Sequence, residues 1–458
     1  MSDSHNRIFG TDGVRVRANR SPMDSEMALA LGRAVAAVFR NGGHRHRIVV
    51  GKDTRLSGYM IETALASGVC SMGADVMLVG PLPTPGIAFI ARTMRADAGV
   101  VISASHNRFD DNGIKFFDRE GFKLADLLEE RMEELIATGL EGVERPTGED
   151  IGRAQRIDDA GGRYIQFLKG TFPNELTLDG MRIVVDCANG AGYRVAPAVF
   201  EELGAEVIEL GTSPDGVNIN EGVGSLHPER MCELVRKMGA NAGIALDGDA
   251  DRVIMCDEKG DVVDGDVIMA LAALDLKRRG QLAKDTIVAT VMSNLALDRA
   301  MASRGVSVER SKVGDRHVIA AMREGGFNLG GEQSGHLIFL DHNTTGDGIV
   351  GGLEILACMC RQGRPLSELA RIFDPYPQAQ VNIRVAKRRE FTAIPEIAST
   401  VASFKSELGS DGRLLLRFSG TENIARVLVE GEDGCRVRAM AADLAGLIRT
   451  HLGETQAI

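Results

Sequence analysis

Tryptophan is absent from the 458 residues, and aromatic residues make up only 4%. With so few rings, the chain offers no stacking platform for nucleic-acid bases. It has no excess of basic residues either: 53 Lys and Arg face 64 Asp and Glu, a net charge of -11. That balance argues against nucleic acid or an anionic membrane as the main partner. The opening MSDSHNRIFG lacks the apolar core of a signal peptide. No run reaches membrane-spanning length; the apolar stretch from Gly348 to Cys360 is short and carries Glu354. The seven cysteines are odd in number, scattered from Cys70 to Cys435, and form no Cys-x-x-Cys pair. Such usage is expected of reduced thiols in a cytoplasmic protein.

What the chain does have is glycine: 54 residues, about 12% against a usual value near 7%. Glycine at this density suggests tight turns and loops that come close to ligands. Hydrophobic residues at 44% and charged residues at 26% are those of a globular chain able to bury large cores. The length suggests about three domains, within a range of two to four.

An internal repeat organises most of the chain. Ile48 to Gly51 reads as a short strand. A helix follows, capped by Ser57 and running from Gly58 to Ser71, then a strand from Asp75 to Val79. A Pro-rich turn and a second helix lead to the strand Gly99 to Ile102, which ends in Ser103-Ala104-Ser105-His106-Asn107. The same grammar returns from Ile183 and ends at Asp247-Gly248-Asp249-Ala250-Asp251-Arg252. It returns again from Ile287 and ends at Gly331-Glu332-Gln333-Ser334-Gly335-His336. Continuous apolar strands alternating with helices predict α/β domains whose sheets are covered on both faces and largely parallel. Ligands bind such sheets beyond the carboxyl ends of the strands, where the three most polar segments lie.

After Pro375 the grammar changes. Alternating runs (Val381 to Val385, Arg413 to Phe418) and a terminal helix near Val437–His451 predict a smaller α+β domain. The expected architecture is therefore three tandem α/β domains of repeated topology, with mixed or parallel sheets, plus a C-terminal α+β domain, around a central cleft. Their expected limits are 1–155, 156–256, 257–373 and 374–458.

Four loops carry the chemistry. Asp247, Asp249 and Asp251 alternate along a glycine-bearing turn. Carboxylates so close repel unless a divalent cation neutralises them, and hard oxygen donors select Mg²⁺, Mn²⁺ or Ca²⁺. An EF-hand would require glycine at the sixth place, where Arg252 stands. Beside a metal, Arg252 would suit a phosphate. In the first loop a serine could be a nucleophile, a phosphate carrier or a helix cap, with Lys115 within reach of the same cleft. Glu332, Ser334 and His336 offer donors and acceptors to sugar hydroxyls. Arg417, Ser419, Gly420, Thr421 and Arg426 resemble an anion cradle of hydroxyls, backbone N–H groups and guanidinium groups. A phosphorylated sugar processed by phosphoryl transfer accounts for all four loops at once.

These segments, with Phe9-Gly10-Thr11-Asp12-Gly13-Val14-Arg15, Gly51 to Arg55, Asn112 to Lys115, Val313 to Arg316 and Thr344 to Gly348, resemble the α-D-phosphohexomutase family over nearly the whole chain. The resemblance implies that Ser105 is a phosphoserine and that it holds Mg²⁺, one ion per chain, together with Asp247, Asp249 and Asp251. It implies Lys115 as general acid/base, with burial and nearby arginines expected to lower its pKa towards neutrality. His106, Arg15 and Arg252 are implied at the transferring phosphoryl. The third and fourth loops are implied to bind the sugar and the non-reacting phosphate. The opening Gly-Thr-Asp-Gly and the Ile-Ser-Ala-Ser-His-Asn forms point to glucosamine phosphate. The implied reaction interconverts its 6- and 1-phosphates through a hexosamine 1,6-bisphosphate, feeding UDP-N-acetylglucosamine synthesis in the cytoplasm. A sugar phosphate is the implied partner, and a homodimer the one protein partner left open.

The chain departs from the family pattern. Arg108 stands where proline usually follows His-Asn, Val16 where glycine follows Arg15, Asn423 where proline follows Thr-Glu, and Ala250 where glycine is common. Losing two prolines is expected to loosen the serine and cradle loops. Three alternatives stay open: a phosphomannomutase/phosphoglucomutase, a diverged sugar-phosphate-binding paralogue of weak activity, and a metal-dependent phosphatase. The cradle on a separate domain argues against the last, because a hydrolase has no intermediate to hold and turn.

Overall fold

A computed structural model describes residues 7–10, 12–40, 44–418 and 423–453. The chain forms two units, one from 1–292 and 306–372, the other from 293–305 and 373–458.

Among the described residues, the first unit contains three sheets. The first comprises β1 (Val14–Arg17), β2 (Arg47–Lys52), β3 (Asp75–Pro81), β4 (Ala98–Ile102), β5 (Asp111–Asp118) and β6 (Ala154–Arg156), in the order β1-β5-β4-β2-β3-β6. The second comprises β7 (Arg182–Asp186), β8 (Glu206–Leu210), β9 (Ala242–Leu246), β10 (Val253–Asp257) and β11 (Val262–Val263), in the order β11-β10-β9-β7-β8. The third comprises β12 (Thr286–Thr290), β13 (Ser307–Ser311), β14 (Leu329–Gly331) and β15 (Leu337–Phe339), in the order β13-β12-β14-β15. Every residue of β4, β9 and β12 is buried, as expected for strands covered on both faces.

The repeat is real, and it contains one element that the sequence pattern does not announce. Each chemically loaded loop is a turn between a parallel strand and an antiparallel return strand: β4 to β5, β9 to β10, β14 to β15. The sheets are therefore mixed rather than parallel. A short connection can only reverse the chain, since a parallel partner needs a crossover of a dozen residues or so. The return closes tightly, with Ile102 opposite Ile114, Leu246 opposite Val253 and Gly331 opposite Leu337. Ser57 does not cap its helix. The helix Ser57–Cys70 starts after Leu56 without a side-chain cap, and the Ser57 hydroxyl instead accepts from Asn112 Nδ2 at 2.8 Å.

The second unit is an antiparallel sheet of β16 (Gln378–Arg384), β17 (Gly412–Phe418) and β18 (Ile424–Gly431), in the order β16-β18-β17. Val427 and Val429 share its core with Leu444 and Ile448 of the helix Gly434–Leu452. The helix Leu295–Ala302, though it follows β12 in the chain, belongs to this unit. Its first N–H donates to Glu430 Oε1 at 2.7 Å. Arg413 bridges the Ser293 carbonyl (2.8 Å) and Glu430 Oε2 (2.6 Å). Glu430 is fully buried, so these donors satisfy a charge that water cannot reach.

Candidate active site

Ser105 follows β4 with a φ of +51°, in the left-handed region that only a well-supported residue holds. The support is a buried network. Ser105 N–H donates to Ser103 Oγ (2.9 Å), which donates to Asp53 Oδ2 (2.6 Å), and Asp53 is paired with Arg55 at 2.8 Å. The fully buried Arg55 guanidinium then gathers the loop's carbonyls, those of Ser105 (2.9 Å), Asn107 (2.8 Å), Asp111 (3.2 Å) and Arg108. Asn220 Nδ2 reaches the Ser105 and Asn107 carbonyls from the connection between β8 and β9, both at 2.9 Å. This bed stands where the missing proline would have stiffened the loop. The Arg108 side chain is exposed.

Ser105 Oγ donates to Asp247 Oδ2 at 2.5 Å and lies 3.2 Å from His106 Nδ1. Two glycines let the loops of the three repeats meet. A Cβ on Gly248 would stand 2.5 Å from the Ser105 carbonyl oxygen. At Gly335, with φ +88°, a Cβ would stand 2.1 Å from the Val253 carbonyl oxygen, while Val253 N–H donates to the Gly335 carbonyl at 3.0 Å.

Asp247, Asp249 and Asp251 are all buried, and one oxygen from each lies within 4.8 Å of the others. Asp249 Oδ1 and Asp251 Oδ1 are buried with no hydrogen-bond partner among the described residues. Burial, then Asp251 and Asp249, push the Asp247 carboxyl well above the usual range. A hard divalent cation fits this donor set: it supplies the charge the trio lacks and meets the orphaned oxygens. Thr84 Oγ1 donates to Asp249 Oδ2 at 2.7 Å.

Lys115, on β5, is buried against the same carboxylates, at 2.9 Å from Asp249 Oδ2 and 3.3 Å from Asp251 Oδ2 and Asp12 Oδ2. The expected drop in its pKa is not what this arrangement does. Burial alone would lower it, but Asp12, Asp249 and Asp251 outweigh burial and hold the ammonium well above its ordinary value. Three acidic neighbours count for more than the one arginine, Arg15, that opposes them. Asp251 is in turn held well below the carboxylate range: burial raises it, and Lys115, His336 and Arg252 overcome that.

The other wall is cationic. Burial, then Arg252 and Arg15, push His106 down to about 3, so its imidazole is neutral at physiological pH. The Arg252 backbone N–H donates to Asp247 Oδ1 at 3.2 Å, and its Nε is buried without a hydrogen-bond partner among the described residues. Arg15 pairs with Asp12 at 2.9 Å. An anion beside Ser105 Oγ would meet these two guanidinium groups.

The third loop divides. Ser334 is exposed and Glu332 half-buried, with Glu332 Oε1 accepting from Gly314 N–H at 2.9 Å. His336 turns inward, 3.5 Å from Asp251 Oδ1 and 3.4 Å from Asp315 Oδ2. Burial would discharge it, but Asp251 and Asp315 prevail and raise its pKa. In the second unit Arg417 and Arg426 are direct cross-strand partners on β17 and β18. Like charges so placed repel unless an anion lies between them. Arg426 Nε is buried with no hydrogen-bond partner among the described residues. Ser419, Gly420 and Thr421 lie outside the described residues.

The sequence motifs contained Asp53, Arg55, Asp12 and Asp315 but suggested no task for them. Nothing in the sequence marked Thr84 or Asn220. Their work is to hold other residues, and only the convergence of distant strands makes it visible.

Four family profiles match the chain in order. They are Phosphoglucomutase/phosphomannomutase alpha/beta/alpha domain I over residues 6–142, domain II over 162–260, domain III over 264–376, and the C-terminal domain over 381–447. A phosphoglucosamine mutase of Anaeromyxobacter sp. (strain Fw109-5) is 63% identical over 98% of this chain and 96% of its own. A phosphoglucomutase/phosphomannomutase family protein from Burkholderia thailandensis superposes with a TM-score of 0.79 at 25% identity, over 97% of each chain. The fold is also shared by Aspergillus fumigatus N-acetylphosphoglucosamine mutase, solved with GlcNAc-6P and magnesium, at a TM-score of 0.67 and 18% identity over 96% of this chain and 95% of that one. With all four domains matched in sequence and a relative this similar end to end, the chain belongs to the α-D-phosphohexomutase family.

Proposed function

We propose that this chain interconverts glucosamine 6-phosphate and glucosamine 1-phosphate in the cytoplasm, through a phosphoserine and a 1,6-bisphosphate. The observation that carries the proposal is the 2.5 Å contact between the Ser105 hydroxyl and Asp247, inside a pocket with carboxylates on one side and guanidinium groups on the other. The name borne by the 63% identical relative supports the choice of sugar. The free state of all seven cysteines suits the location.

In this scheme the phosphoryl group on Ser105 passes to the free sugar hydroxyl: the Ser–O–P bond breaks as the new O–P bond forms, and the proton the sugar hydroxyl loses is balanced by the one Ser105 Oγ takes up. The bisphosphate turns over, and its original phosphoryl returns to Ser105 Oγ. Mg²⁺ bound by Asp247, Asp249, Asp251 and the serine phosphate would neutralise charge spread over the phosphoryl oxygens. Arg15 and Arg252 bind the same group, and neutral His106 offers Ser105 a hydrogen bond. Lys115, held as an ammonium, is suited to give a proton to a departing oxygen. Its service as a base needs the neighbouring carboxylates neutralised first. Glu332 and Ser334 present polar atoms to the sugar, with His336 behind them against Asp251. Arg417 and Arg426, with Ser419, Gly420 and Thr421, take the phosphate that does not react. The work is divided among three repeats and the C-terminal domain: phosphoserine loop in 1–155, metal loop in 156–256, sugar loop in 257–373, phosphate cradle in 374–458.

A coupled assay of the Ser105-phosphorylated protein with glucosamine 6-phosphate and a trace of hexose 1,6-bisphosphate tests the proposal. Turnover with the highest kcat/KM among glucosamine, glucose and mannose phosphates is expected. No turnover, or a preference for mannose or glucose phosphate, would overturn it.

A further inference from the structure

Among the described residues, one further group of ligand-type side chains is close enough to share an ion: His44, His46 and Asp97. It lies away from the Ser105 loop. His44 and His46 immediately precede β2, and Asp97 immediately precedes β4, so all three stand at the amino ends of neighbouring parallel strands that pair Ile48 with Ala98. Ser105 lies beyond the carboxyl end of β4, whose five residues span about 16 Å.

The geometry is that of a ligand set. His44 Nε2 is 3.1 Å from Asp97 Oδ1, and His46 Nδ1 is 3.3 Å from Asp97 Oδ2. One donor atom from each of the three lies within 4.8 Å of the others, and the two imidazole centroids are 4.3 Å apart. Ligands held about 2.1 Å from a tetrahedral zinc ion stand roughly 3.4 Å from one another. Small side-chain adjustments therefore suffice.

His46 supplies an independent observation. It is only 7% exposed, and its Nδ1 is buried with no hydrogen-bond partner among the described residues, despite the nearby carboxylate. A buried ring nitrogen with no partner calls for an explanation, and a cation is one that the adjacent carboxylate favours. The basic neighbour Arg45 does not occupy the place. Its guanidinium is drawn to Asp75 (2.9 Å) and to the Ile151 carbonyl (2.7 Å). Asp97 Oδ2 accepts from Arg47 N–H at 3.0 Å and Oδ1 is hydrogen-bonded to His44 Nε2 at 3.1 Å, so each carboxylate oxygen keeps a further lone pair for a shared ion.

We propose that His44, His46 and Asp97 form a second metal site that takes a zinc-class divalent ion and ties the start of β2 to the start of β4. Two imidazoles and one carboxylate select Zn²⁺ or Co²⁺ over Mg²⁺, whereas the all-oxygen trio does the reverse. The two sites thus sort metals by ligand chemistry, and the second is independent of the sugar-phosphate reaction.

The test is zinc calorimetry on the chelator-stripped full chain, with millimolar magnesium present to fill the aspartate trio. One equivalent of zinc should bind, and Co²⁺ should give a visible absorption band. His44→Ala and His44→Asn, at an exposed position, should weaken zinc binding at least about tenfold. Both variants should keep wild-type melting in metal-free buffer and wild-type turnover in magnesium. His46→Gln should behave as the His44 variants do. The proposal is overturned if the wild type binds no zinc in magnesium, or if the variants bind it with unchanged affinity.

Discussion

Ser105 Oγ and Asp247 Oδ2 are 2.5 Å apart although 142 residues separate them in the chain. Each sits in the turn that follows a buried strand of its own sheet, and neither has a local reason to face the other. Removal of the hydroxyl tests what the contact is for. Ser105→Ala should lower kcat by at least about a thousandfold, because no acceptor remains for the phosphoryl group. The loop should stay in place, since Arg55 and Asn220 hold its carbonyls rather than its hydroxyl. Steady-state kinetics and intact mass, which should show no added phosphate on the variant, check this together.

The approach of the two loops depends on Gly248. A Cβ there would stand 2.5 Å from the Ser105 carbonyl oxygen and 2.9 Å from Asn220 Nδ2. Gly248→Ala should cost about 1–3 kcal/mol as overpacking. Its effect on turnover should be larger, about a hundredfold, because it displaces the serine from the aspartates by a fraction of an ångström or more. Thermal unfolding measured beside kcat separates the two effects.

Arg55 is fully buried and paired with Asp53 at 2.8 Å. Arg55→Ala would leave that carboxylate buried without its cation, a loss of about 3–5 kcal/mol. Arg55→Lys keeps the charge but not the planar fork that gathers four carbonyls, so it should fold better than the alanine variant and still turn over poorly. Urea unfolding and activity on both variants give the comparison.

Chelation should stop turnover, and added magnesium should restore it. Magnesium at about a hundred times its dissociation constant should also stabilise the folded chain by about 2.7 kcal/mol. In Asp249→Ala that stabilisation should largely vanish. Melting temperature against magnesium concentration is the readout.

Asp186 sits at the end of β7, where it accepts from Ala188 N–H at 2.9 Å and Gly224 N–H at 2.7 Å. Burial, only partly offset by those two donors, raises its pKa from 3.8 to about 6. The folded state therefore binds this proton more tightly than the unfolded state does. The associated stability is fully present below pH 4 and is lost as pH rises to 6, roughly 3 kcal/mol in all. Asp186→Asn should flatten the stability profile between pH 4 and 6 relative to the wild type, measured by denaturant unfolding at several pH values.

The positions of the reactive loops were legible because each is a polar, glycine-bearing segment directly after an apolar run. The strands expected over Ile48–Gly51 and Gly99–Ile102 lie within β2 and β4. The return strand β5 was not legible, because Asn112-Gly113-Ile114-Lys115-Phe116-Phe117 looks like a turn followed by an apolar patch. Its pairing with β4 on one side and β1 on the other makes it a strand. The charge state of Lys115 depends on Asp12, Asp249 and Asp251, which reach it from two domains, and no local pattern foretells which neighbours win. The same holds for Arg55, which reads as one more basic residue until four carbonyls are found around it.

The helix Leu295–Ala302 gives the C-terminal unit a second, non-contiguous stretch of chain. The backbone therefore passes between the units three times, at 292–293, 305–306 and 372–373. A recombinant fragment beginning at residue 373 would lack the Leu295 N–H and the Ser293 carbonyl that Glu430 and Arg413 engage. For the same reason the C-terminal portion is not a cassette that could be exchanged between relatives by a single crossover in the gene. A functional chimera would have to carry both stretches from one parent.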